Sequence, residues 1–218
     1  MESLNHTLFL ALNASASPPA PLVVFALVAA KYLILLVPLH IVLVWAGGTR
    51  AMRFLAVTAV VALTFALLLN GIMGLLVYTP RPFILGIGHT LIEHRPSASF
   101  PSNHGTVVFT YAMTLALFSA RRLALVVACM GGLVAWSRIY LGVHFPFDMA
   151  GAALVSTVVS FGSLHGMLRY GRPPFDFSDR LHSSLCEGGH LQATLRSARD
   201  AAVESIRGVV NRAWSPTS

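Results

Sequence analysis

Charged residues are scarce in this chain. They make up 11% of its 218 residues, against about a quarter of a typical soluble domain. Hydrophobic residues make up 56%, and the mean hydropathy is +0.72. Between positions 21 and 168 the acidic residues are Glu93 and Asp148 alone. So little charge over so long a stretch excludes an ordinary soluble domain and indicates a protein whose solvent is the lipid bilayer.

Cysteine is also rare, since Cys129 and Cys186 are the only two. One lies in an apolar run and the other in the C-terminal part, so we expect neither a disulfide nor a metal site from them. The formal net charge of +7 comes from basic residues in short loops and in the C-terminal part, as is typical beside membrane spans. It therefore does not indicate a nucleic-acid partner.

Five apolar stretches are long enough, or nearly so, to cross a bilayer as helices, which takes about 20 residues. They cover 20–45, 53–78, 104–119, 122–143 and 146–168, of which the third is short by count. We therefore expect an all-α, polytopic membrane helical bundle of about five transmembrane helices, formed by a membrane-embedded domain at 1–168. The apolar segment from Leu4 to Asn13 is too brief for a sixth span and predicts an N-terminal interfacial helix.

The C-terminal part, 169–218, carries seven arginines and five acidic residues, which predicts a basic, amphipathic tail. Its apolar positions have helical spacing; they are Leu191, Leu195, Ala202, Ile206 and Val209. A surface-lying anchor and a helix that binds a partner are equally open. At the other end of the chain, no basic region precedes the first long apolar run, so we expect no signal-peptide cleavage. Asn5 and Asn13 each begin a glycosylation sequon, a short pattern that mostly occurs by chance.

Basic residues between the spans predict the orientation. They occur in three places: Arg50 and Arg53, then Arg121 and Arg122, then Arg169 and Arg172. These places alternate onto one side of the bundle, which the positive-inside rule makes cytoplasmic. We therefore expect a multi-pass protein of the inner (cytoplasmic) membrane. Its N-terminus, the loop 79–103 and the turn around His144 would face outward, and its C-terminus inward.

Residues able to bind and transfer a phosphoryl group collect on that predicted outer face. They come from separate stretches of chain: Arg81-Pro82, Pro101-Ser102-Asn103-His104, and Ser137-Arg138 followed by His144 and Asp148. Charge at membrane depth is costly and suggests function by default. Arginine offers a planar fork of donors that matches phosphate oxygens. Ser102 and Pro146 mark two helix starts, whose free N–H groups favour an anion.

Each of these residues has an ordinary explanation when taken alone. A histidine at a helix end is more often an interface residue than a catalyst, and an arginine near the bilayer surface more often anchors lipid headgroups. Because all of these residues are predicted to lie on one face, a catalytic site is favoured over separate explanations. If positions 144 and 148 share a helical face, Asp148 holds one ring nitrogen of His144 and leaves the other as a nucleophile. His104 would then protonate the leaving oxygen and later activate water.

The three stretches resemble the signatures of the type 2 phosphatidic acid phosphatase superfamily, in order and in spacing: Arg81-Pro82, Pro101-Ser102-x-His104 and Ser137-Arg138-x5-His144-x3-Asp148. The resemblance covers roughly the second to the fifth span. It implies a phosphohistidine at His144 supported by Asp148, His104 as acid and base, and no metal or other cofactor. It also implies a set of phosphate ligands: Arg81, Arg138, Ser102 and backbone N–H groups near Asn103 and Gly105.

One position departs from the family pattern. The first signature usually has a lysine seven positions before its arginine, and this sequence has Gly74 there. Either fewer cations hold the phosphate, or Lys31, His94 or Arg95 compensates. For Lys31 the simpler explanation is a lysine that snorkels or pairs with a buried polar group.

Two further runs are similar to the bacterial undecaprenyl-diphosphatase branch of the superfamily: the loop from Pro80 to Pro101, and Leu141-Gly142-Val143-His144-Phe145-Pro146. That similarity implies hydrolysis of undecaprenyl diphosphate, a polyprenyl lipid, to undecaprenyl phosphate and inorganic phosphate. This reaction recycles the lipid carrier of peptidoglycan synthesis and is linked to bacitracin resistance. Possible substrate contacts are Pro82, Glu93, His94, Arg95 and Lys31. For the polar loop residues, including His89, substrate contact and plain solvation are equally open.

Three other functions fit some of these features. A phosphatase for phosphatidylglycerophosphate or phosphatidic acid would use the same residues, because the motif residues contact only the phosphate and not the rest of the lipid. A vanadium haloperoxidase shares the site pattern but is soluble, and the apolar spans count against it. A small transporter would be expected to place its polar groups near the bilayer midplane, whereas here they gather at one face. Apart from membrane lipids the sequence predicts no further partner, and it does not predict the oligomeric state.

Overall fold

The computed structural model describes residues 2–187, and all regular structure within that range is helical. The helices are α1 (Glu2–Leu12), α2 (Ala20–Tyr32), α3 (Leu36–Gly47), α4 (Arg50–Leu76), α5 (Asn103–Leu117), α6 (Arg121–Tyr140), α7 (Pro146–Tyr170) and α8 (Arg172–His182). A short 3-10 turn, Leu33–Leu35, joins α2 to α3, and a π-helical turn, Ser183–Glu187, follows α8. The amphipathic helix expected from Leu191 onward lies outside the described residues.

Four helical segments are long and apolar enough to cross a bilayer: Ala20–Gly47, Arg50–Leu76, Arg121–Tyr140 and Pro146–Tyr170. They correspond to the predicted first, second, fourth and fifth spans, and they confirm an all-α, multi-pass membrane bundle. The predicted third span corresponds to α5, which has 15 residues. A helix of that length rises about 22 Å, less than the roughly 30 Å of a hydrocarbon core. Among the described helices four therefore reach full span length, and α5, the predicted third span, is shorter, which is compatible with a bundle of about five transmembrane helices.

The short helix α5 is the centre of the bundle and packs against α4, α6 and α7. Small residues let these helices approach closely. A Cβ on Gly105 would lie 3.2 Å from both Ala152 Cβ and the Met149 sulfur, and one on Gly131 would lie 2.6 Å from the Phe109 ring. Because α5 is enclosed on several sides, it does not need the length of a helix that contacts lipid on its own.

Hydroxyl groups bond α5 to α7 inside the bundle. Thr110 Oγ1 donates to Ser156 Oγ at 2.9 Å, Ser156 Oγ donates to Thr106 O at 3.1 Å, and Ser160 Oγ donates to Thr110 O at 3.3 Å. Polar groups in the hydrocarbon region need partners within the protein, and these hydroxyl groups supply them to one another. On the outside of the bundle, large apolar side chains such as Leu154 and Phe161 are exposed, as expected of a surface that faces lipid.

A short helix caps each end of the bundle. At one end α8 docks beside the α3–α4 turn, where Arg53 Nε donates to Asp179 Oδ1 at 2.8 Å and Trp45 Nε1 donates to Ser178 Oγ at 2.8 Å. At the other end α1 packs against α6 and α7, with Phe9 fully buried. The segment predicted as an N-terminal helix is therefore helical, and its position in the membrane interface stays a prediction.

Candidate active site

Three helix ends meet beside α1: the start of α5, the end of α6 and the start of α7. The loop that joins α4 to α5 covers them. This loop is held near its two ends, since Ser99 N donates to Thr79 O at 2.8 Å and Phe100 N donates to Thr79 Oγ1 at 3.0 Å. The three stretches that carry the sequence motifs are thereby brought to one end of the bundle, as the alternation of the spans predicted.

His144 and Asp148 form a buried pair at the start of α7. His144 Nδ1 lies 3.1 Å from Asp148 Oδ2, and the two residues are 2% and 4% exposed. Pro146 begins the helix, and Asp148 Oδ2 also accepts the Phe145 backbone N–H at 2.8 Å, as an acidic residue in a first turn does. With Asp148 as its acceptor, Nδ1 carries the proton and Nε2 presents a lone pair.

The electrostatic surroundings keep this imidazole neutral. Burial lowers the pKa of His144 to about 4, although the hydrogen bond to Asp148 acts in the opposite direction and the charge of Arg81 adds to the lowering. A neutral imidazole with a free lone pair is the form that can attack phosphorus.

Ser99 joins this pair, although no sequence motif assigned it a role. Its hydroxyl donates to Asp148 Oδ2 at 2.5 Å and lies 3.4 Å from His144 Nδ1, and the residue is buried. Asp148 Oδ2 therefore accepts from a hydroxyl, a backbone N–H and the imidazole together. Ser99 is 49 positions from Asp148, so no local spacing in the sequence could have connected the two.

Arg81 spans the gap between the covering loop and His144. Its guanidinium donates to Ser97 O at 3.0 Å, Ala98 O at 3.1 Å and Val143 O at 3.0 Å. Nη1 also lies 3.1 Å from His144 Nε2, to which it donates. Burial lowers the pKa of Arg81, and the charge of Asp148 partly offsets this; arginine nonetheless stays protonated in proteins. A cation therefore sits against the ring nitrogen that carries the lone pair.

Arg138 differs from Arg81 because two of its donors have nothing to bind. The residue is 4% exposed, and neither Nε nor Nη2 has a hydrogen-bond partner among residues 2–187. A buried guanidinium with unused donors is costly. The geometry fits an anion that binds both arginines beside the ring of His144.

His104 is half-buried in the first turn of α5, at a helix N-terminus. It lies close enough to Arg138, His144, His94 and Arg81 for their charges to act on it. The position suits a group that gives a proton to an atom leaving the anion site and later takes one from water.

The first turn of α5 is held by residues outside the predicted set. Asn70 Nδ2, from α4, donates to Asn103 Oδ1 and to Thr106 Oγ1, each at 2.9 Å. Ser102 is the N-cap, and its hydroxyl accepts the Gly105 N–H at a long 3.4 Å. Of the predicted phosphate ligands, Asn103 is thus exposed at the site end, while Ser102 and Gly105 are buried and bonded to each other.

Among the possible substrate contacts, His94 has its ring beside that of His144. Its ring centroid is 6.4 Å from that of His144 and 6.5 Å from that of Phe83. Nδ1 lies 3.0 Å from Arg95 O, and burial lowers the pKa of His94. The sequence left His94 open between substrate contact and solvation, and its place beside His144 favours contact.

The other possible contacts differ in their exposure. Glu93 and Arg95 are exposed loop residues, and Pro82 is buried in a turn whose carbonyl accepts the Ile87 N–H at 3.0 Å. Lys31 is exposed near the end of α2 and makes no hydrogen bond or ion pair with the residues that the structure describes. Gly74 lies behind the loop that holds Arg81, since a Cβ there would be 3.2 Å from Ala98 Cβ.

A sequence profile of the PAP2 superfamily matches residues 55–172. Two curated relatives cover most of the chain. YbjG of Escherichia coli K12, named as a candidate undecaprenyl-diphosphatase, is 37% identical over 158 residues, which are 72% of this chain and 80% of that protein. The undecaprenyl-diphosphatase BcrC of Bacillus subtilis is 28% identical over 158 residues, 72% of this chain and 81% of its own length.

A third relative is the undecaprenyl-diphosphatase of Sulfolobus acidocaldarius, 32% identical over 113 residues, which are 51% of this chain and 55% of that protein. Two solved structures share the fold. Aquifex aeolicus LpxE superposes with a TM-score of 0.57 at 26% identity, covering 74% of this chain and 95% of that one. A Bacillus subtilis phosphatidylglycerolphosphate phosphatase of PAP2 type superposes with a TM-score of 0.58 at 21% identity, covering 78% and 87%.

Proposed function

This chain belongs to the PAP2 superfamily, and we propose that it is a membrane phosphatase that hydrolyses undecaprenyl diphosphate to undecaprenyl phosphate and inorganic phosphate. One observation carries the chemistry: two guanidinium donors of buried Arg138 have no partner within the described part of the chain, beside His144, whose Nδ1 lies 3.1 Å from Asp148 Oδ2. The relatives named as undecaprenyl-diphosphatases support the substrate. The names of these relatives agree with the class of enzyme that the sequence predicted, a lipid-diphosphate phosphatase.

The first step is transfer of the terminal phosphoryl group to His144. The terminal phosphate binds the free donors of Arg138, and Arg81 Nη1 exchanges its contact with His144 Nε2 for a phosphate oxygen. Nε2 then attacks phosphorus, and the bond from phosphorus to the bridging oxygen breaks. Asp148 stabilises the positive charge that the ring acquires, as a carboxylate behind an imidazole does. The bound diphosphate favours the protonated form of His104, which gives its proton to the bridging oxygen, so undecaprenyl phosphate leaves.

The second step releases inorganic phosphate. His104, now neutral, accepts a proton from a water molecule as its oxygen attacks phosphorus. The bond between phosphorus and His144 Nε2 breaks, and its electron pair returns to the ring. His104 is again protonated and His144 again neutral, so the site is ready for another turnover. Positioning and fixed positive charge supply most of the rate enhancement.

His94 is the residue that we propose as a contact of the second phosphate. The first family signature lacks its lysine, because Gly74 stands there, and a cation could act from the covering loop instead. His94 lies beside His144 and half-buried, and a bound diphosphate would favour its protonated form. Glu93 and Arg95, which are exposed, would act at longer range.

The site opens at the end of the bundle opposite the basic residues. Arg50 and Arg53 begin α4, Arg121 begins α6, and Arg172 begins α8. By the positive-inside rule we propose that this basic end is cytoplasmic and that hydrolysis occurs at the outer leaflet of the inner membrane. The membrane domain would end near residue 168, close to the end of α7, and the tail would be cytoplasmic.

The test is phosphate release by the purified protein in detergent, with a chelator present, on undecaprenyl diphosphate and on phosphatidylglycerophosphate. We expect faster release from undecaprenyl diphosphate, full activity in the chelator, and loss of activity by about four orders of magnitude or more in His144→Ala. His94→Ala should raise KM for the diphosphate more than for a monophosphate ester. His89→Ala is its matched control, because the His89 side chain is exposed and, within residues 2–187, His89 is hydrogen-bonded through its backbone alone.

The opposite results each reject a definite part of the proposal. Preference for phosphatidylglycerophosphate would reject the substrate and favour the alternative phosphatase. Activity lost in the chelator would reject the metal-free mechanism. Near-full activity of His144→Ala would reject the nucleophile. Equal effects of His94→Ala and His89→Ala would reject His94 as a diphosphate contact.

A further inference from the structure

The side chain of Asn13, just after α1, joins two other segments of the chain. Asn13 Nδ2 donates to His89 O at 2.9 Å and to Tyr140 O at 3.0 Å. Asn13 Oδ1 accepts the backbone N–H of His89 at 2.7 Å. Both ends of the amide are therefore bonded to backbone groups that lie 76 and 127 positions away. A residue with this bonding pattern holds the covering loop against the last turn of α6.

Two glycines allow these segments to come so close. Gly88 has a φ of +70°, and a Cβ there would lie 2.4 Å from Asn13 Oδ1. Gly142 has a φ of +81°, and a Cβ there would lie 2.2 Å from His89 O. At both positions the positive φ and the short contact would make any residue other than glycine costly. The approach of α1, the covering loop and the turn after α6 is thus built into the chain at two positions.

The turn held in this way leads directly to His144. Ala14 N donates to Tyr140 O at 3.1 Å, and Leu91 N donates to Leu141 O at 3.1 Å. Val143 O, the next carbonyl but one, accepts from Arg81. A shift of the turn at Tyr140 would therefore move the ring of His144 and a carbonyl that orients Arg81.

α1 also holds the chain on the far side of His144. The ring of His6 stacks on Phe145 with centroids 5.2 Å apart, and Phe9 meets the same ring edge-on at 5.2 Å. Asn5 Oδ1 accepts the Phe147 N–H at 3.0 Å. Helix α1 and the two residues after it thus contact the chain on both sides of His144, and they are not among the residues that form the anion site.

We propose that α1 and the residues just after it form a clamp that sets the position of His144, and that Asn13 is its principal positioning residue. The proposal rests on the proposed function, because it concerns the same nucleophile. Asn13 does not touch the anion site; it acts through the turn that carries His144. The proposal also assigns a role to a position that the sequence marked only as a sequon. Both N–H groups of its amide are engaged in hydrogen bonds, which a sugar on that nitrogen would break.

The test compares Asn13→Asp and Asn13→Ala with Thr7→Ala. The aspartate has nearly the same shape, yet it replaces the donor to His89 O and Tyr140 O by an oxygen that repels them. Thr7 lies on the exposed face of α1, and its hydroxyl donates to Ser3 O within the helix. We expect kcat on undecaprenyl diphosphate to fall about tenfold or more in both Asn13 variants with KM nearly unchanged, since small misplacement of a reacting group acts on kcat. Thr7→Ala should equal the wild type.

A second readout separates positioning from folding. Vanadate, which resembles the phosphoryl group in the transition state, should inhibit the Asn13 variants more weakly in proportion to their lost kcat. Their thermal unfolding in detergent should stay within a few degrees of the wild type. Asn5→Ala, which removes one bond to the other side of His144, should show a smaller loss in the same direction.

The clamp is rejected by unchanged kcat in Asn13→Asp, or by a loss that follows the unfolded fraction instead of vanadate affinity. It is also rejected if Thr7→Ala and Asn13→Ala lose activity equally. An Asn13→Asp chain that does not fold leaves the decision to Asn5→Ala, where kcat and vanadate affinity must fall together. A wild type without activity on undecaprenyl diphosphate would instead reject the proposed function, and in that case the clamp is tested by vanadate affinity alone.

Discussion

Both ends of the bundle carry arginine and aspartate, but these residues are exposed at one end and buried at the other. At the α8 end Arg50 and Asp176 are 68% and 54% exposed, and their closest atoms are 3.8 Å apart. At the α1 end Arg81, Arg138 and Asp148 are all 5% exposed or less. Exposed ion pairs contribute little to stability, whereas buried charge is costly unless it is fully bonded. The cost is thus concentrated at one end, and this is where a function has to be sought.

The two buried arginines also differ from each other in how fully their donors are bonded. Arg81 is bonded to three carbonyl groups and to His144. Arg138 keeps two donors without a partner in residues 2–187. The first arginine is therefore part of the structure as well as of the site, while the second is held ready for a ligand.

Substitution of each arginine by methionine should separate their two roles. Arg138→Met should lower kcat/KM by about a hundredfold to a thousandfold, as loss of a transition-state donor does. It should leave thermal stability unchanged or higher, because a buried cation with unused donors is removed. Arg81→Met should lower activity and also destabilise the protein by about 2 kcal/mol, since the buried carbonyl of Val143 and two part-buried carbonyls lose their donor.

Phosphate release and thermal unfolding in the same detergent measure both quantities. Addition of inorganic phosphate is the control: it should raise the unfolding temperature of the wild type more than that of Arg138→Met. If Arg138→Met were as unstable as Arg81→Met, the contrast between a structural and a ligand-binding arginine would be wrong.

The sequence could predict the parts of the site that depend on local geometry and on span topology. His144 and Asp148 are four residues apart at a helix start, so their pairing follows from helical spacing. Arg81, His104 and Arg138 were predicted to share one face because successive spans alternate in direction. The overall bundle follows from the same apolar runs, and its family from the spacing of the motifs.

What escaped the sequence depends on contacts between distant segments. Ser99 and Asn13 make their decisive bonds to residues 49 to 127 positions away, and nothing near them in sequence indicates a partner. The short α5 was counted as a span because its composition is apolar, and only its enclosed position explains why 15 residues are enough. His94 is a polar residue in a polar loop, and only the tertiary structure shows that its ring lies near that of His144.

The two ends should also differ in how they make the stability of the fold depend on pH. Burial lowers the pKa of His144 to about 4 in the folded protein, against about 6.5 in an unfolded chain. Above pH 6.5 both states are neutral at this position. Between pH 6.5 and 4 the unfolded chain binds a proton that the folded protein does not, so the folded state loses stability as pH falls, by at most about 3 kcal/mol in total.

Thermal unfolding of the wild type and of His144→Gln across that pH range measures the effect. The glutamine variant cannot take up the proton, so its stability should fall less steeply below pH 6.5. The Asp179→Asn variant, at the other end, should follow the wild-type curve in this range. Parallel curves for wild type and His144→Gln would mean that the imidazole is not kept neutral by its surroundings.

The smallest expected effect is at the α8 end. Asp179 bonds Arg53 at 2.8 Å and Arg50 at 3.4 Å, and it is 23% exposed. Asp179→Asn keeps an oxygen to accept from Arg53 and loses only the charge, which water and salt already screen. We therefore expect a loss of stability under about 1 kcal/mol and unchanged phosphate release, measured in the same two assays. A large loss of activity in this variant would show that docking of α8 is coupled to the site at the opposite end, and the two ends could no longer be treated as independent.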